Sequence, residues 1–521
     1  MKTVQLTESI LAVVAIAALV VGCDKAADPE PKAPADTAQA TEATYPVDKI
    51  EFQKNGYMSD PDAKLLIENA KRSAALSVYI WSLPRVLMET SRLGNREMGV
   101  DTLTMPVSED TLKPSTLIPT ANQSTIYMIV YTDFDGEPLV IEYPENALGY
   151  IDDGWQRSLY DGIPDGKPSK PVFIVPVNYE GEIPSEDDYT ILRPKTAGGL
   201  FLARGLITPE EGSKERAVAE IKKSKIYYYK DRNNIPEQKF VNWSVEPWRN
   251  MNVFNFARGM RYWEVLNDVV QKDLVNDEDR AMYGLMQFLG IEKGKPFNPS
   301  PEMKELLTTM EDVGFKTTQA IGFSEHYAPR YYDNGTDWTR IFLVPLDPKD
   351  AREGSREVFD YKNYLGVVQR AHFAQNAQSG SPLAAMKFVG KGSQYLYSHS
   401  DTDHNTLDGA ETYRLHVPAN VPAKDFWSIT LYDPISRSML QGTGSDDVTI
   451  DSNDKLIQNA DGSYDLFVGP DDSKVPAKYR GTPNFAATNP KKGLMVYFRF
   501  FGPLEPFFDK TWQLQSFEKI K

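Results

Sequence analysis

Residues 407–439 read LDGAETYRLHVPANVPAKDFWSITLYDPISRSM. Two β-strands are expected here, 413–417 (YRLHV) and 426–433 (FWSITLYD), because apolar and polar side chains alternate with a period of two. A second stretch, 493–512, reads GLMVYFRFFGPLEPFFDKTW and continues the pattern near the end of the chain. In the first strand Tyr413, Leu415 and Val417 share one face, and Arg414 and His416 share the other. In the next, Trp427, Ile429 and Leu431 share a face, opposite Ser428, Thr430 and Tyr432. Late in the chain, Tyr497 and Arg499 alternate with Val496, Phe498 and Phe500. The apolar faces should hold a core. The polar faces have two readings. One is a solvated sheet face, common in antiparallel sheets. In the other, the strands are neighbours and bring Arg414, His416, Ser428, Thr430, Tyr432 and Arg499 onto one surface. Two arginines beside hydroxyls suit a carboxylate, a phosphate or a sugar.

Working outward, 394–398, 447–450 and 464–468 add further strands to this C-terminal region. Upstream, 125–132 (TIYMIVYT) and 138–143 (PLVIEY) read as strands joined by a turn that contains Asp135-Gly136. Strands at 170–177, 189–193 and 199–206 follow at short spacing, and a helix at 209–223 closes the region. Such spacing suggests a β-sandwich or jelly roll. The middle is helical, at 252–274, 277–289 and 301–321, the last with Ser300 as cap and Pro301 at the first helical position. Asp60-Pro61 opens an earlier helix in which Leu66, Ala70, Ala74, Val78 and Trp81 form a stripe; Pro84 is expected to kink or end it. The expected class is α+β multidomain, with two jelly-roll-like β-sandwich domains packed with an α-helical segment.

The chain has 521 residues, enough for two or three cores. A net charge of −16 disfavours nonspecific binding to nucleic acid or to an anionic membrane surface. Cys23 is the only cysteine, so neither a disulfide framework nor a Cys-based zinc site can form within one chain. It ends an apolar run, 10–21, that is too short for a transmembrane helix. With the preceding Val20-Val21-Gly22 it resembles a bacterial lipobox, in which Cys23 is expected to become the lipidated first residue; the alternative is an ordinary signal peptide with an incidental Cys. Residues 24–46, rich in Ala, Pro, Asp, Glu and Thr, read as a flexible tether. The expected organisation is signal peptide and lipobox at 1–23, and tether at 24–50. An N-terminal helix plus β-sandwich domain follows at 51–240, a mainly helical segment at 241–390, and a C-terminal jelly-roll-like domain at 391–521.

Several short motifs carry a family resemblance. They are 75–81 (ALSVYIW), 122–127 (NQSTIY), Leu407-Asp408-Gly409, 413–416 (YRLH), Phe426-Trp427-Ser428, Tyr432-Asp433, Asp461-Gly462-Ser463 and 499–503 (RFFGP). Over most of 50–521 the chain resembles the bacterial exported proteins that join domain of unknown function 1254 to domain of unknown function 1214. The family usually shows Asn-x-Asp-Thr-x-Tyr where this chain has Asn122-Gln-Ser124-Thr-Ile-Tyr127, so a role for that acid does not carry over. The resemblance implies jelly-roll-like β domains with a helical part, and no assigned reaction.

The stretch His399-Ser-Asp401-Thr-Asp403-His404-Asn405 has oxygen donors at alternate positions, like the start of a calcium loop. Thr406 and Thr412 stand where an EF-hand needs Gly and Glu, so that pattern fails. Two His and two Asp suit zinc as an alternative, and a polar hairpin loop is the plain reading. His326 and His372 lie in no motif and read as structural. There is no GxGxxG after a strand, no GxxxxGK[ST], no GxSxG and no HExxH. No cofactor is expected, with calcium or zinc at 399–405 as the exception. The functional expectation is an envelope lipoprotein, anchored in a membrane through Cys23 and facing the periplasm or the outside. It binds, or binds and transforms, a small anionic or hydroxylated molecule at the junction of its β domains, through Asn122, Tyr127, Arg414, Tyr432 and Arg499. The alternatives are a noncatalytic protein-interaction scaffold and a metal-assisted hydrolase using His399, Asp401, Asp403 and His404.

Overall fold

The computed structural model describes residues 46–162, 169–245, 257–324, 327, 330–343 and 366–521. The expected signal peptide, Cys23 and most of the tether lie outside these residues, as do His326 and the first turns of the helix expected from 252. Contacts divide the chain into residues 1–65 and 66–521. The second unit holds both β regions and the helical segment.

The protein is α+β, with eight helices and four sheets among its described residues. Helix α1 (Asp60–Glu97) starts one residue after Ser59, whose Oγ accepts from the Asp62 N–H at 3.3 Å. Ser59, rather than the expected Asp60, is thus the cap. The buried stripe begins at Ala74, and Ala70 is exposed. Pro84 does not end the helix. Side chains from elsewhere bond the carbonyls just before the proline: Tyr262 Oη donates to Tyr79 O (3.0 Å) and Arg370 Nη1 to Trp81 O (2.7 Å). Every residue from Val78 to Glu89 is buried, so packing on all sides of the helix offsets the lost backbone bond. Around this segment pack α3 (Met260–Lys272), α4 (Arg280–Phe288) and α5 (Pro301–Gly322), where Ser300 caps as expected.

The first β region has two sheets. One has the order β10-β1-β2-β8-β4-β5: Lys239–Asn242, Thr104–Val107, Thr125–Asp133, Gly198–Leu206, Leu148–Asp153 and Ser158–Gly162. The other is β7-β6-β3-β9: Thr190–Leu192, Val172–Ile174, Leu139–Glu142 and Lys225–Tyr228. The connection between β2 and β3 carries the chain from one sheet to the other, so these consecutive strands do not pair. Ile126, Met128 and Val130 of β2 then meet Leu139 and Ile141 of β3 across one core, which α2 (Ser213–Ile221) helps to cover. The other face of β2, with Tyr127, Ile129 and Tyr131, is buried as well, in a second core. That is why this strand reads apolar almost throughout.

The C-terminal region also has two sheets. The first, β11-β12-β18-β14-β15, comprises Thr339–Arg340, Ser393–Ser398, Met495–Pro503, Ala423–Tyr432 and Thr449–Asp451. The second, β17-β16-β13-β19, comprises Phe485–Ala487, Tyr464–Gly469, Tyr413–Val417 and Phe517–Lys519. Trp427, Ile429 and Leu431 of β14 and Tyr413, Leu415 and Val417 of β13 join one core, as their alternation predicts. Trp427 stacks on Phe498 with ring centres 5.3 Å apart. Strands β13 and β14 lie in different sheets, so their polar faces do not form one surface. Three short helices complete the set: α6 (Val367–Asn376), α7 (Pro382–Ala385) and α8 (Glu505–Phe508).

Candidate functional site

The outer face of the β2 sheet and the polar face of the β18 sheet carry matching pairs. Tyr127 of β2 stands opposite Arg204 of β8. Tyr395 of β12 stands opposite Arg499 of β18, with Ser428 of β14 on the other side of Arg499. Cross-strand neighbours share a face, so each sheet presents one Tyr–Arg pair. The pairs meet: Arg204 Nη1 donates to Tyr395 Oη at 3.1 Å, and the Arg204 guanidinium sits 5.2 Å from the Tyr127 ring centre. They line a cavity of about 100 Å³, bounded on its apolar side by Met88, Ile118, Ile129, Leu202 and Phe342. By that measure one water takes roughly 10–15 Å³, so there is room for several waters or a small ligand.

Arg499 comes from an aromatic strand (YFRFF) and is 1% exposed. Its Nη2 donates to Thr120 O (2.8 Å) and Tyr432 Oη (2.6 Å), and Tyr432 in turn donates to Ala121 O. The polar face of β14 and β18 is therefore covered by the segment before β2. Ser428, Thr430 and Tyr432 are buried, and the expected solvated face is absent from this sheet. Arg499 Nε and Nη1 and Arg204 Nε have no hydrogen-bond partner among the described residues, and neither arginine pairs with a carboxylate there. Leaving buried charged donors unpaired is costly, so an anion in the cavity would be strongly favoured.

Asn122 is fixed by its own turn, where its Oδ1 accepts from Ser124 N and Thr125 Oγ1. Its Nδ2 therefore donates to Tyr127 Oη at 2.5 Å, which leaves the Tyr127 proton for an acceptor in the cavity. Tyr432 is pushed up to about 12, by burial first, with Arg499 opposing; it stays a neutral donor. Tyr150 and Tyr497 are also pushed upward, chiefly by burial. Tyr395 moves the other way: burial opposes its ionisation, but Arg204 and then Arg499 draw it below the ordinary tyrosine range.

Of the five expected ligand residues, Asn122, Tyr127 and Arg499 line the cavity and Tyr432 orients Arg499 from behind. Arg414 is elsewhere, on β13, half-exposed and paired with Glu518 at 2.6 Å. His416 beside it meets Asp465 at 2.9 Å. Sequence reasoning missed Arg204 and Tyr395. Arg204 left a trace as the lone charge in the apolar strand GGLFLARGL; Tyr395 left none. The four metal candidates do not converge. His399 packs against Phe323 and Tyr397. Asp401 caps the N–H groups of Asp403 and Asn405 at 2.9 and 3.0 Å. Asp403 is exposed, and His404 meets Asp337 at 2.6 Å. Among the described residues, no three His, Cys, Asp or Glu side chains gather as a metal would need.

The chain matches the family model of DUF1254, a protein of unknown function, over residues 104–228. It matches that of DUF1214, also a protein of unknown function, over 392–505. These are the two domains of the expected resemblance, in that order. The first contributes Asn122, Tyr127 and Arg204, and the second Tyr395 and Arg499. No curated protein matches the chain. Among solved structures, the VPA0106 protein from Vibrio parahaemolyticus is similar in fold. It is 15% identical, with a TM-score of 0.51, and the match covers 87% of this chain and 100% of that one. An uncharacterised protein from Burkholderia cenocepacia aligns at 12% identity over 87% of this chain and 94% of that one, with a TM-score of 0.38.

Proposed function

We propose that this chain, which carries DUF1254 ahead of DUF1214, binds a small anionic molecule with an apolar body at the junction of the two β regions. The observation that carries this reading is Arg499: 1% exposed, without a carboxylate partner, and with two nitrogens, Nε and Nη1, unpaired among the described residues. A guanidinium fork in that state suits a carboxylate or phosphate. Arg204 adds a second positive charge, and the aliphatic wall suits the rest of the ligand. Within the same reading the two β regions are jelly-roll-like sandwiches, stiff enough to hold the donors in place.

The test is titration of full-length protein with benzoate and with inorganic phosphate, followed by calorimetry, alongside Arg499→Met. Wild type should bind at least one of them, and the variant should bind it roughly 10- to 100-fold more weakly. Equal behaviour of the two proteins would sink the reading.

The same reading makes the protein an envelope lipoprotein held to a membrane through Cys23, a role supported by the lipobox and the tether composition. Cys23→Ser should move the protein from the membrane fraction to the soluble one and abolish labelling by a fatty-acid probe. Unchanged partitioning would rule the anchor out. Among the described residues no helix is long and apolar enough to cross a membrane.

A further inference from the structure

Tyr395 stands opposite Arg499 across two strands, with that guanidinium 5.7 Å from its ring centre, and its hydroxyl accepts from Arg204 at 3.1 Å. Two cations thus bracket one phenol at the wall of the cavity. Its neighbours Tyr150, Tyr397, Tyr432 and Tyr497 all hold their protons more tightly than usual because they are buried, whereas Tyr395 holds its own less tightly.

We propose that the cavity is a proton-transfer site in which Tyr395 is the acid–base group acting on a small oxo carboxylate held by Arg499, with Tyr127 donating to the oxo oxygen. This rests on the anion-binding reading above and adds a reaction to it. Charge balance supports it. Two guanidinium groups without carboxylates exceed one monoanionic ligand by one positive charge, and a Tyr395 phenolate would neutralise that excess. The step is redox-neutral. The phenolate removes a proton from the carbon beside the oxo group, and the C–H electron pair becomes the C=C bond of an enolate. The oxo oxygen takes the negative charge and accepts the Tyr127 proton in a hydrogen bond, the one donor that Asn122 leaves pointed at the cavity. Tyr395, now protonated, returns the proton to carbon or delivers it to oxygen, giving an exchanged oxo acid or its enol. No atom or electron is lost and no further reactant is required.

The experiment uses full-length protein, the Tyr395→Phe, Arg204→Gln and Arg499→Met variants, and 2-oxobutyrate as probe. Tyrosinate absorbance followed with rising pH should show one tyrosine ionising ahead of the rest. That phase should be absent from Tyr395→Phe and moved to higher pH in Arg204→Gln. In heavy water, wild type should accelerate exchange of the probe's C3 protons, followed by NMR, by about 100-fold over Tyr395→Phe. Tyr395→Phe should still bind the probe by calorimetry, since Phe keeps the ring and Arg499. If 2-oxobutyrate binds in an Arg499-dependent way but exchanges no faster than with Tyr395→Phe, the proton-transfer role is wrong and the anion site stands. The role is equally wrong if no early tyrosinate appears. If wild type and Arg499→Met bind the probe alike, the anion reading fails and this inference fails with it.

Discussion

Strands β13 and β14 leave the same stretch of sequence with the same alternation, yet their polar faces have opposite fates. On β13, Arg414 and His416 are half-exposed and paired with their cross-strand neighbours Glu518 and Asp465 on an open sheet face. On β14 and its partner β18, Ser428, Thr430, Tyr432 and Arg499 are at most 1% exposed. An arginine on the wet face settles for a surface ion pair, worth little. An arginine on the dry face keeps unpaired donors in a cavity, where its field is least screened. The difference teaches that a polar residue on a strand becomes a candidate site only when something else covers its face.

The comparison breaks most sharply under an added charge. Thr430→Lys puts an unpaired cation on the dry face beside Thr449 and should cost roughly 3–5 kcal/mol in urea denaturation. His416→Lys, on the wet face beside Asp465, should stay within about 0.5 kcal/mol of wild type. Similar costs for both would mean that the two faces do not differ in burial as described.

Acid sharpens the contrast next. His372, buried on α6, bonds Arg340 O at 3.0 Å and is lowered to about 4 by burial. The unfolded chain takes up a proton near pH 6.5 that the folded protein refuses until about pH 4. This contribution to stability is therefore complete above pH 6.5 and lost as pH falls towards 4, by about 3 kcal/mol in all. His372→Gln should flatten the acid side of the stability–pH curve. An unchanged curve for His372→Gln would place the titrating group elsewhere.

Binding separates the two arginines. Removing the charged donors of Arg499 should weaken a bound carboxylate by about 1.5–3 kcal/mol, roughly 10- to 100-fold in Kd. Arg414→Met should change Kd by less than about two-fold, because the two residues lie in different sheets. A smaller effect, of roughly 1–2 kcal/mol in stability, is expected for Tyr432→Phe. It leaves Ala121 O without its donor and Arg499 Nη2 with only Thr120 O. Retention of full stability in that variant would show that the cover over β14 does not depend on this hydroxyl.

Much of the fold was legible in the chain. The longer strands, such as β2, β8, β12, β13, β14, β16 and β18, the capped helix at Pro301 and the core faces of β13 and β14 follow from local periodicity and capping, whereas β1, β4, β5, β9, β10, β11, β17 and β19 are not among the expected strands. Pro84 does not end its helix, because a proline does so only when no packing compensates for it. The β2–β3 connection reads as a turn, and an Asp-Gly turn does not say whether the two strands pair or part into different sheets. The site was half legible. Asn122, Tyr127 and Arg499 stood out by residue type, but Arg414 stood out equally, and Tyr395 looked like any strand tyrosine.

By itself the sequence determined the α+β class, the two-domain pairing, the alternation that assigns the residues of 413–417 and 426–432 to a face, and the core side of those two strands. Those are local properties, written at a spacing of two or four residues. Only the tertiary structure decided that β13 and β14 part into different sheets, that the β18 face is covered by Thr120 and Ala121, and that Tyr395 lies between two arginines. Arg499 and Thr120 are 379 residues apart in the chain. No local pattern encodes which distant segment will exclude water from a face, and that exclusion makes Arg499, and not Arg414, the centre of a site.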